Sequence, residues 1–199
     1  IVQVHARARE RDGIWRAGVT GTAGGEQHPW NLQVDDLAYA IESGDLRVGR
    51  AAFAHMDSRL ELQGAMRGSG RLSAELRFEE FAVHDLLAAL AIPIQGFEAT
   101  LGGTATAGGT TRTPTLQANL ALSDVRYDEL RDLRAEVALT YGTTSARIDA
   151  TIELADAGTA TIAGGADWGR PLPISAVFDQ AALDVTATFD EVNLALADR

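Results

Sequence analysis

Four histidines, the acidic pairs Asp35-Asp36 and Glu79-Glu80, three tryptophans and one glycine-flanked serine are the first residues to test for chemistry in this chain. His5, His28, His55 and His84 are scattered, and none stands in a His-x-x-x-His spacing, so they predict no metal centre. Asp35-Asp36 and Glu79-Glu80 would serve glycoside hydrolysis only if two carboxylates faced each other across a substrate. Adjacent side chains on a strand point to opposite faces, so each pair reads as a solvated strand end. Ser69, between Gly68 and Gly70, lacks a Gly-x-Ser-x-Gly frame and any evident His and acid partners. Gly18-Val-Thr-Gly21-Thr-Ala-Gly24-Gly25 has no Lys-Ser/Thr ending and no helix pattern after it, so it reads as a hairpin turn rather than a phosphate loop. Gly164-Gly165-Ala166-Asp167 is half of a calcium-binding repeat without stacked copies, and also reads as a turn. Trp15, Trp30 and Trp168 would form a sugar-stacking platform if brought together; spaced this widely, they read as core anchors or groove-edge residues. These residues predict no catalysis, no metal and no cofactor.

The elements that position side chains are strands. Apolar residues alternate with mostly polar ones at Leu72/Ala74/Leu76/Phe78, Leu116/Ala118/Leu120/Leu122 and Leu133/Ala135/Val137/Leu139/Tyr141. The pattern returns at Ile148/Ala150/Ile152/Leu154 and Leu183/Val185/Ala187/Phe189. Twelve strands are expected, near Val2–Arg9, Ile14–Thr22, Trp30–Asp35, Asp45–Phe53, Arg59–Arg67, Arg71–Phe78, Phe97–Ala107, Thr115–Arg126, Leu133–Tyr141, Ala146–Leu154, Gly158–Gly164 and Ala182–Glu191. Glycines punctuate them at roughly 10 to 15 residue intervals, as in a meander, barrel or solenoid. One segment departs from the two-residue period: Val83, Leu86, Leu87 and Leu90 predict a short amphipathic helix over 82–90, too short to stand alone in water and so docked on the sheet. A weak repeat of Phe, an acidic pair and then apolar residues links Leu76-Arg-Phe-Glu-Glu-Phe with Ala187-Thr-Phe-Asp-Glu-Val, and more loosely with Leu32-Gln-Val-Asp-Asp-Leu. The chain is expected to form one repetitive array without a sharp internal boundary, with units at 1–70, 71–181 and a partial 182–199.

Composition narrows the partners. The net charge of −11 and pI near 4.7 oppose nucleic-acid binding and polybasic adhesion to a membrane surface. All the cations are Arg and none is Lys. Without cysteine there is no disulfide, thiolate metal site or Cys nucleophile. The alternating run that begins at Ile1, without an initiator Met, reads as part of a longer protein whose targeting or membrane segments lie elsewhere. Hydrophobic residues make up 46% of the chain, but many are Ala and only 6% of the chain is aromatic. That buries too little area per residue for a thick sandwich and suits an elongated, curved sheet with a hydrophobic groove.

By parity the groove lining comprises Leu60 and Leu62; Leu72, Leu76 and Phe78; Leu116, Leu120 and Leu122; Val137 and Leu139. It continues with Ile148, Ile152 and Leu154, then Ile162, then Val185 and Phe189. A long apolar trough on a water-exposed protein is a binding surface by default.

Gly109-Thr-Thr-Arg-Thr-Pro114-Thr-Leu-Gln-Ala-Asn-Leu-Ala-Leu-Ser-Asp-Val-Arg-Tyr127, followed by Leu130, resembles the repeated Gly-Thr…Pro-x-Leu-x-Gly/Ala-x-Leu-x-Leu…Tyr segment of the TamB family, within the AsmA-like group of bacterial envelope proteins. The preceding strand ending in Phe-x-x-Phe, the Leu-Leu-Ala-Ala-Leu run and the Gly-rich strand after it are similar to what introduces those repeats; the resemblance covers about Arg71 to Leu154. It implies a β-taco, a solenoid-like half-pipe with a hydrophobic lumen, in the periplasm of a protein anchored in the inner membrane. It further implies phospholipid as cargo, an outer-membrane barrel as partner through regions outside this chain, and a link to outer-membrane protein assembly. Two other readings stay open: a structural or adhesive extracellular β-solenoid with a closed core, and a carbohydrate-active or other enzyme on a β-helix.

Overall fold

The computed structural model describes residues 2–23, 29–84, 96–127, 130–154, 158–171 and 182–190. Twelve strands run β1 (Val2–Arg11), β2 (Ile14–Ala23), β3 (Trp30–Ala40), β4 (Asp45–His55), β5 (Ser58–Met66) and β6 (Leu72–Ala82). They continue with β7 (Phe97–Gly109), β8 (Pro114–Tyr127), β9 (Leu130–Tyr141), β10 (Ser145–Leu154), β11 (Gly158–Asp167) and β12 (Ala182–Asp190). All belong to one open antiparallel sheet in which spatial order follows chain order, with β1 and β12 at the edges. Each strand pairs with the next in sequence, so short turns suffice to connect most of them. Asp12 and Gly13, at φ 54° and 73°, form the two-residue turn that joins Arg11 to its partner Ile14. Both central residues at positive φ match the right-handed twist of the flanking strands.

Several strands outrun their expected ends, and the acidic pairs explain why. Ala17 pairs with Leu37 and Val19 with Val34, so Asp35 and Asp36 together oppose Gly18 alone. That is a β-bulge, with Asp36 in the left-handed region at φ 55°. Ser123 and Asp124 likewise oppose Arg134 alone, with Asp124 at φ 52°. Glu80 has φ 44°, and its carbonyl accepts a hydrogen bond from Ser58 Oγ at 3.0 Å. Across each of these three positions the apolar parity shifts by one residue, from Val34 to Leu37, from Phe78 to Phe81 and from Leu122 to Val125. The expectation that the acidic pairs mark strand ends is therefore corrected: β3 continues to Ala40 and β6 to Ala82.

The helix expected over 82–90 falls mostly outside the described residues. Phe81 and Ala82 are strand, Val83 and His84 take helical conformation, and residues 85–90 lie outside the described residues.

The chain divides into two compact units. Unit 1 comprises Ile1–Glu80 with Thr104–Thr115, and unit 2 comprises Phe81–Gly103 with Leu116–Arg199. In unit 1, Arg71 bridges to Thr110, and the Thr111 N–H donates to the Gly70 carbonyl at 2.9 Å. In unit 2, Trp168 is 7% exposed, packs against Tyr141, Ala146 and Ala166, and donates from Nε1 to the Thr143 carbonyl at 2.8 Å. Burial elsewhere is thin. Among the described residues no large side chain is fully buried, and the most enclosed apolar ones are Phe81, Ala99, Leu101, Ala118, Val125, Ala160 and Trp168.

Candidate functional site

The strand registers assemble the alternating residues into rows that cross the sheet. In unit 2 one row runs Leu120–Val137–Ala150–Ile162–Ala187, and its neighbour Leu122–Ala135–Ile152–Ala160–Phe189. On the other side lie Ala118–Leu139–Ile148–Gly164–Val185 and Leu116–Tyr141–Ala146–Ala166–Leu183. All twenty positions are apolar or glycine. Large residues mostly stand beside small ones, which lets side chains interdigitate on a single layer. A Cβ on Gly164 would lie 3.0 Å from Ile148 Cγ2 and 3.6 Å from Val185 Cγ2, so these flanking side chains lean over the glycine.

Unit 1 repeats the arrangement. Val4–Gly21–Leu32–Phe53–Leu60–Phe78 form one row and Ala6–Val19–Val34–Ala51–Leu62–Leu76 the next. A third, Ala8–Ala17–Leu37–Val48–Gly64–Ala74, lies beyond the bulges of β3 and β4. At one end of this face Trp30 stacks on Phe53 at 4.4 Å and on His55 at 4.5 Å between ring centroids. At the other, Trp15 and Tyr39 are 46% and 44% exposed.

The opposite faces are polar and tied by cross-strand pairs. Arg50 and Arg59 both hold Glu61, the latter through Nη2 at 2.6 Å, and Gln63 Nε2 donates to Glu75 Oε2 at 2.8 Å. The Arg50 hydrogen bond is the main reason the Glu61 carboxyl sits below its ordinary range, with partial burial opposing and Arg59 assisting. Asp35 accepts from Gln33 Nε2 at 2.9 Å and Asp36 from Arg16 Nη1 at 3.0 Å. Both carboxylates thus bond to polar-face partners, and the alternation argument applied to this pair fails because a bulge turns neighbouring residues out of strict opposition. Two depressions among the described residues lie on the polar side of unit 2, where small residues leave the surface low. One of about 440 Å³ surrounds Arg147, Asp149, Gly165 and Asp184, and one of about 370 Å³ lies over Asn119, Ala121, Glu136 and Thr151.

Each expected lining residue has a definite place. Leu60, Leu62, Leu72, Leu76 and Phe78 share the apolar face of unit 1. Leu116, Leu120, Leu122, Val137, Leu139, Ile148, Ile152, Ile162, Val185 and Phe189 share that of unit 2. Leu154 ends β10 opposite Gly158, and its side chain lies outside the described residues. Burial falls toward the edge: Ile148 is 40% exposed, Val185 and Phe189 67% each.

Parity reading passed over Leu32, Val34, Phe53 and Leu37 of the same kind of face in unit 1, because the bulge interrupts the alternation that would have announced the last. Among the described residues no group of three or more His, Asp or Glu side chains is arranged to hold a metal ion. Trp15 and Trp30 belong to unit 1, whereas Trp168 is a packed residue of unit 2.

Fold and site together define an antiparallel meander sheet whose units each carry one apolar and one charged face. No family model matches the chain, and no curated protein or solved structure is similar to it.

Proposed function

We propose that this chain is a segment of a bridge-like lipid-transport protein of the kind the TamB resemblance implies, in which the sheet curves into a half-pipe and its apolar face shields phospholipid acyl chains in the periplasm. The observation that carries the reading is the uninterrupted apolar rows of unit 2, four deep, beside few buried side chains. Exposing an acyl chain of about fifteen methylenes to water costs on the order of 12 kcal/mol at about 0.8 kcal/mol each, so even partial cover lowers the barrier to crossing an aqueous compartment. Four rows spaced two residues apart span roughly 20 Å, longer than the roughly 15 Å that one leaflet's chains occupy. A wall of Leu, Ile, Val and Ala offers no polar anchor along its length, which favours sliding over tight binding. Head groups stay in water, and the role includes no catalytic step. An outer-membrane barrel partner and an inner-membrane anchor would come from regions beyond this chain, as would any part in outer-membrane protein assembly.

A structural or adhesive solenoid would fill its interior with its own side chains, and the sparse burial favours the open-face reading over that one. The test is extraction of the purified chain and mass spectrometry of the extract, with a photoactivatable phospholipid to map contacts. Phospholipid in the extract, with cross-links on Leu120, Ile152 and their rows, supports the reading. A lipid-free protein whose cross-links fall on both faces alike overturns it.

A further inference from the structure

We propose that Glu10, Trp15 and Tyr39 form a binding site for an organic ammonium ion at one end of the apolar face of unit 1. The row after Ala8–Ala17–Leu37–Val48–Gly64–Ala74 runs Glu10–Trp15–Tyr39–Leu46–Met66–Leu72. All six of its residues belong to unit 1. Trp15 and Tyr39 are direct cross-strand partners, and Glu10 is the partner of Trp15 on its other flank. The three side chains therefore stand together on one face, with neighbouring Cβ atoms about 5 Å apart. Across this row and the three before it, Glu10 is the one charged side chain.

The turn after β1 holds this carboxylate in place. The Gly13 N–H donates to Glu10 Oε1 at 2.7 Å, and the Gly13 carbonyl accepts from the Ile41 N–H at 3.0 Å, which ties the turn to the end of β3. Among the described residues Glu10 has no ion-pair partner: Arg11 pairs with Asp12, and Arg9 and Arg16 lie on the opposite face. The rings are available too. Trp30 stacks on Phe53 and His55 and Trp168 packs on Tyr141, whereas neither Trp15 nor Tyr39 packs on another ring among the described residues, and both are exposed. Two ring faces beside a carboxylate attract a cation. Ala17, Leu37 and Leu46 around them supply no side-chain hydrogen bonds, so a sugar finds few partners, and a bare metal ion finds too few oxygens. A methylated ammonium, whose charge is spread over methyl groups that need no hydrogen bonds, suits both the rings and the carboxylate. Two sources carry such an ion, a soluble amine and a phospholipid head group. The second rests on the lipid-transport reading, with the acyl chains on the rows and the head at the strand ends.

Choline chloride titrated into the isotope-labelled chain, against potassium chloride as control, tests the site without lipid; the readout is the indole N–H signals of the three tryptophans. The Trp15 signal, assigned by its loss in Trp15→Phe, should move with a millimolar midpoint while those of Trp30 and Trp168 stay, and potassium should move none of them. Tyr39→Leu and Glu10→Gln should each weaken binding about fivefold. Both positions are exposed, and circular dichroism confirms that the sheet is retained. A second arm compares photoactivatable phosphatidylcholine with phosphatidylglycerol in vesicles. A preference for the choline lipid that Tyr39→Leu abolishes assigns the site to a head group, and equal cross-linking beside an intact choline response assigns it to a soluble amine. No shift with choline, the same shift with potassium, all three indoles moving together, or a response indifferent to both Tyr39→Leu and Glu10→Gln would each overturn the site. Phospholipid on the apolar rows without a choline response overturns this site and leaves the lipid reading standing; a choline response in a chain that takes up no phospholipid does the reverse.

Discussion

Asp36 on β3 sits directly over Gly49 on β4: a Cβ on Gly49 would lie 3.0 Å from the Asp36 Cβ and 3.2 Å from Asp36 Oδ2. The pair marks two bulges side by side. Asp35 and Asp36 oppose Gly18 on one flank, and Gly49 and Arg50 oppose Gln63 on the other, so β3 and β4 each hold one extra residue relative to their outer neighbours. Leu37 and Val48, paired just beyond, thereby return to the apolar face together. Arg16 closes the arrangement by holding Asp36 from β2.

The acidic residues at positive φ should respond to conformation more than to charge. Asp36→Val, Glu80→Val and Asp124→Val each place a β-branched residue at positive φ and should cost about 1–3 kcal/mol. Glu80→Gly fits the left-handed region without strain and should leave stability within about 1 kcal/mol of the parent. Urea midpoints compare them. Equal losses for the glycine and valine variants of Glu80 would show that its side chain, and not its backbone angle, carries the effect.

Trp168 is the packed anchor of the β9–β10 end. Trp168→Ala should cost about 3–5 kcal/mol through the cavity it leaves. Trp168→Phe keeps most of the contact but strands the Thr143 carbonyl, at about 1 kcal/mol. Hydrogen exchange at Tyr141 and Ser145 to Ala146 should accelerate in that order of severity.

Arginine on the apolar rows should separate the two faces by function. Leu120→Arg and Ile152→Arg place a cation among Val137, Ala150, Ala135 and Ala160, and should reduce phospholipid cross-linking by more than about tenfold, the charge facing an apolar chain. Gln117→Arg, on the polar face, should leave it unchanged. Variants at Leu120 and Ile152 that unfold instead of losing lipid place those positions in a closed core.

Glu61 supplies a pH signature. Its carboxyl is held below the ordinary 4.5 chiefly by the Arg50 hydrogen bond. A depressed folded-state value means the carboxylate favours the fold above 4.5, and that contribution fades as pH falls through the lower value. Glu61→Gln should therefore be less stable than the parent near neutrality, with the difference narrowing as the pH drops below 4.5. The group lies on the surface, so salt should shrink the difference too. A gap that stays constant across the titration would trace the effect to packing.

Strand identity was written in the sequence because the two-residue period is local: each of the twelve segments carries enough alternation or glycine punctuation to declare itself. Sequence also determined which residues of β8 to β12 share a face, since parity within a strand survives any register that keeps apolar with apolar. Its limits appear at Asp36, Glu80 and Asp124. At Asp36 and Asp124 an inserted residue, and at Glu80 a left-handed backbone, breaks the period while the strand continues, so the period alone stops β3 and β6 at their acidic pairs. Only the tertiary structure decided that these acids occupy left-handed positions, because φ depends on how many residues the neighbouring strand sets opposite. Only it decided the rows themselves, which require register across five or six strands, and the separation of Trp168 as a packed anchor from Trp15 as an exposed one. Alternation is a property of one strand, whereas a face belongs to the hydrogen-bonded neighbours that align it.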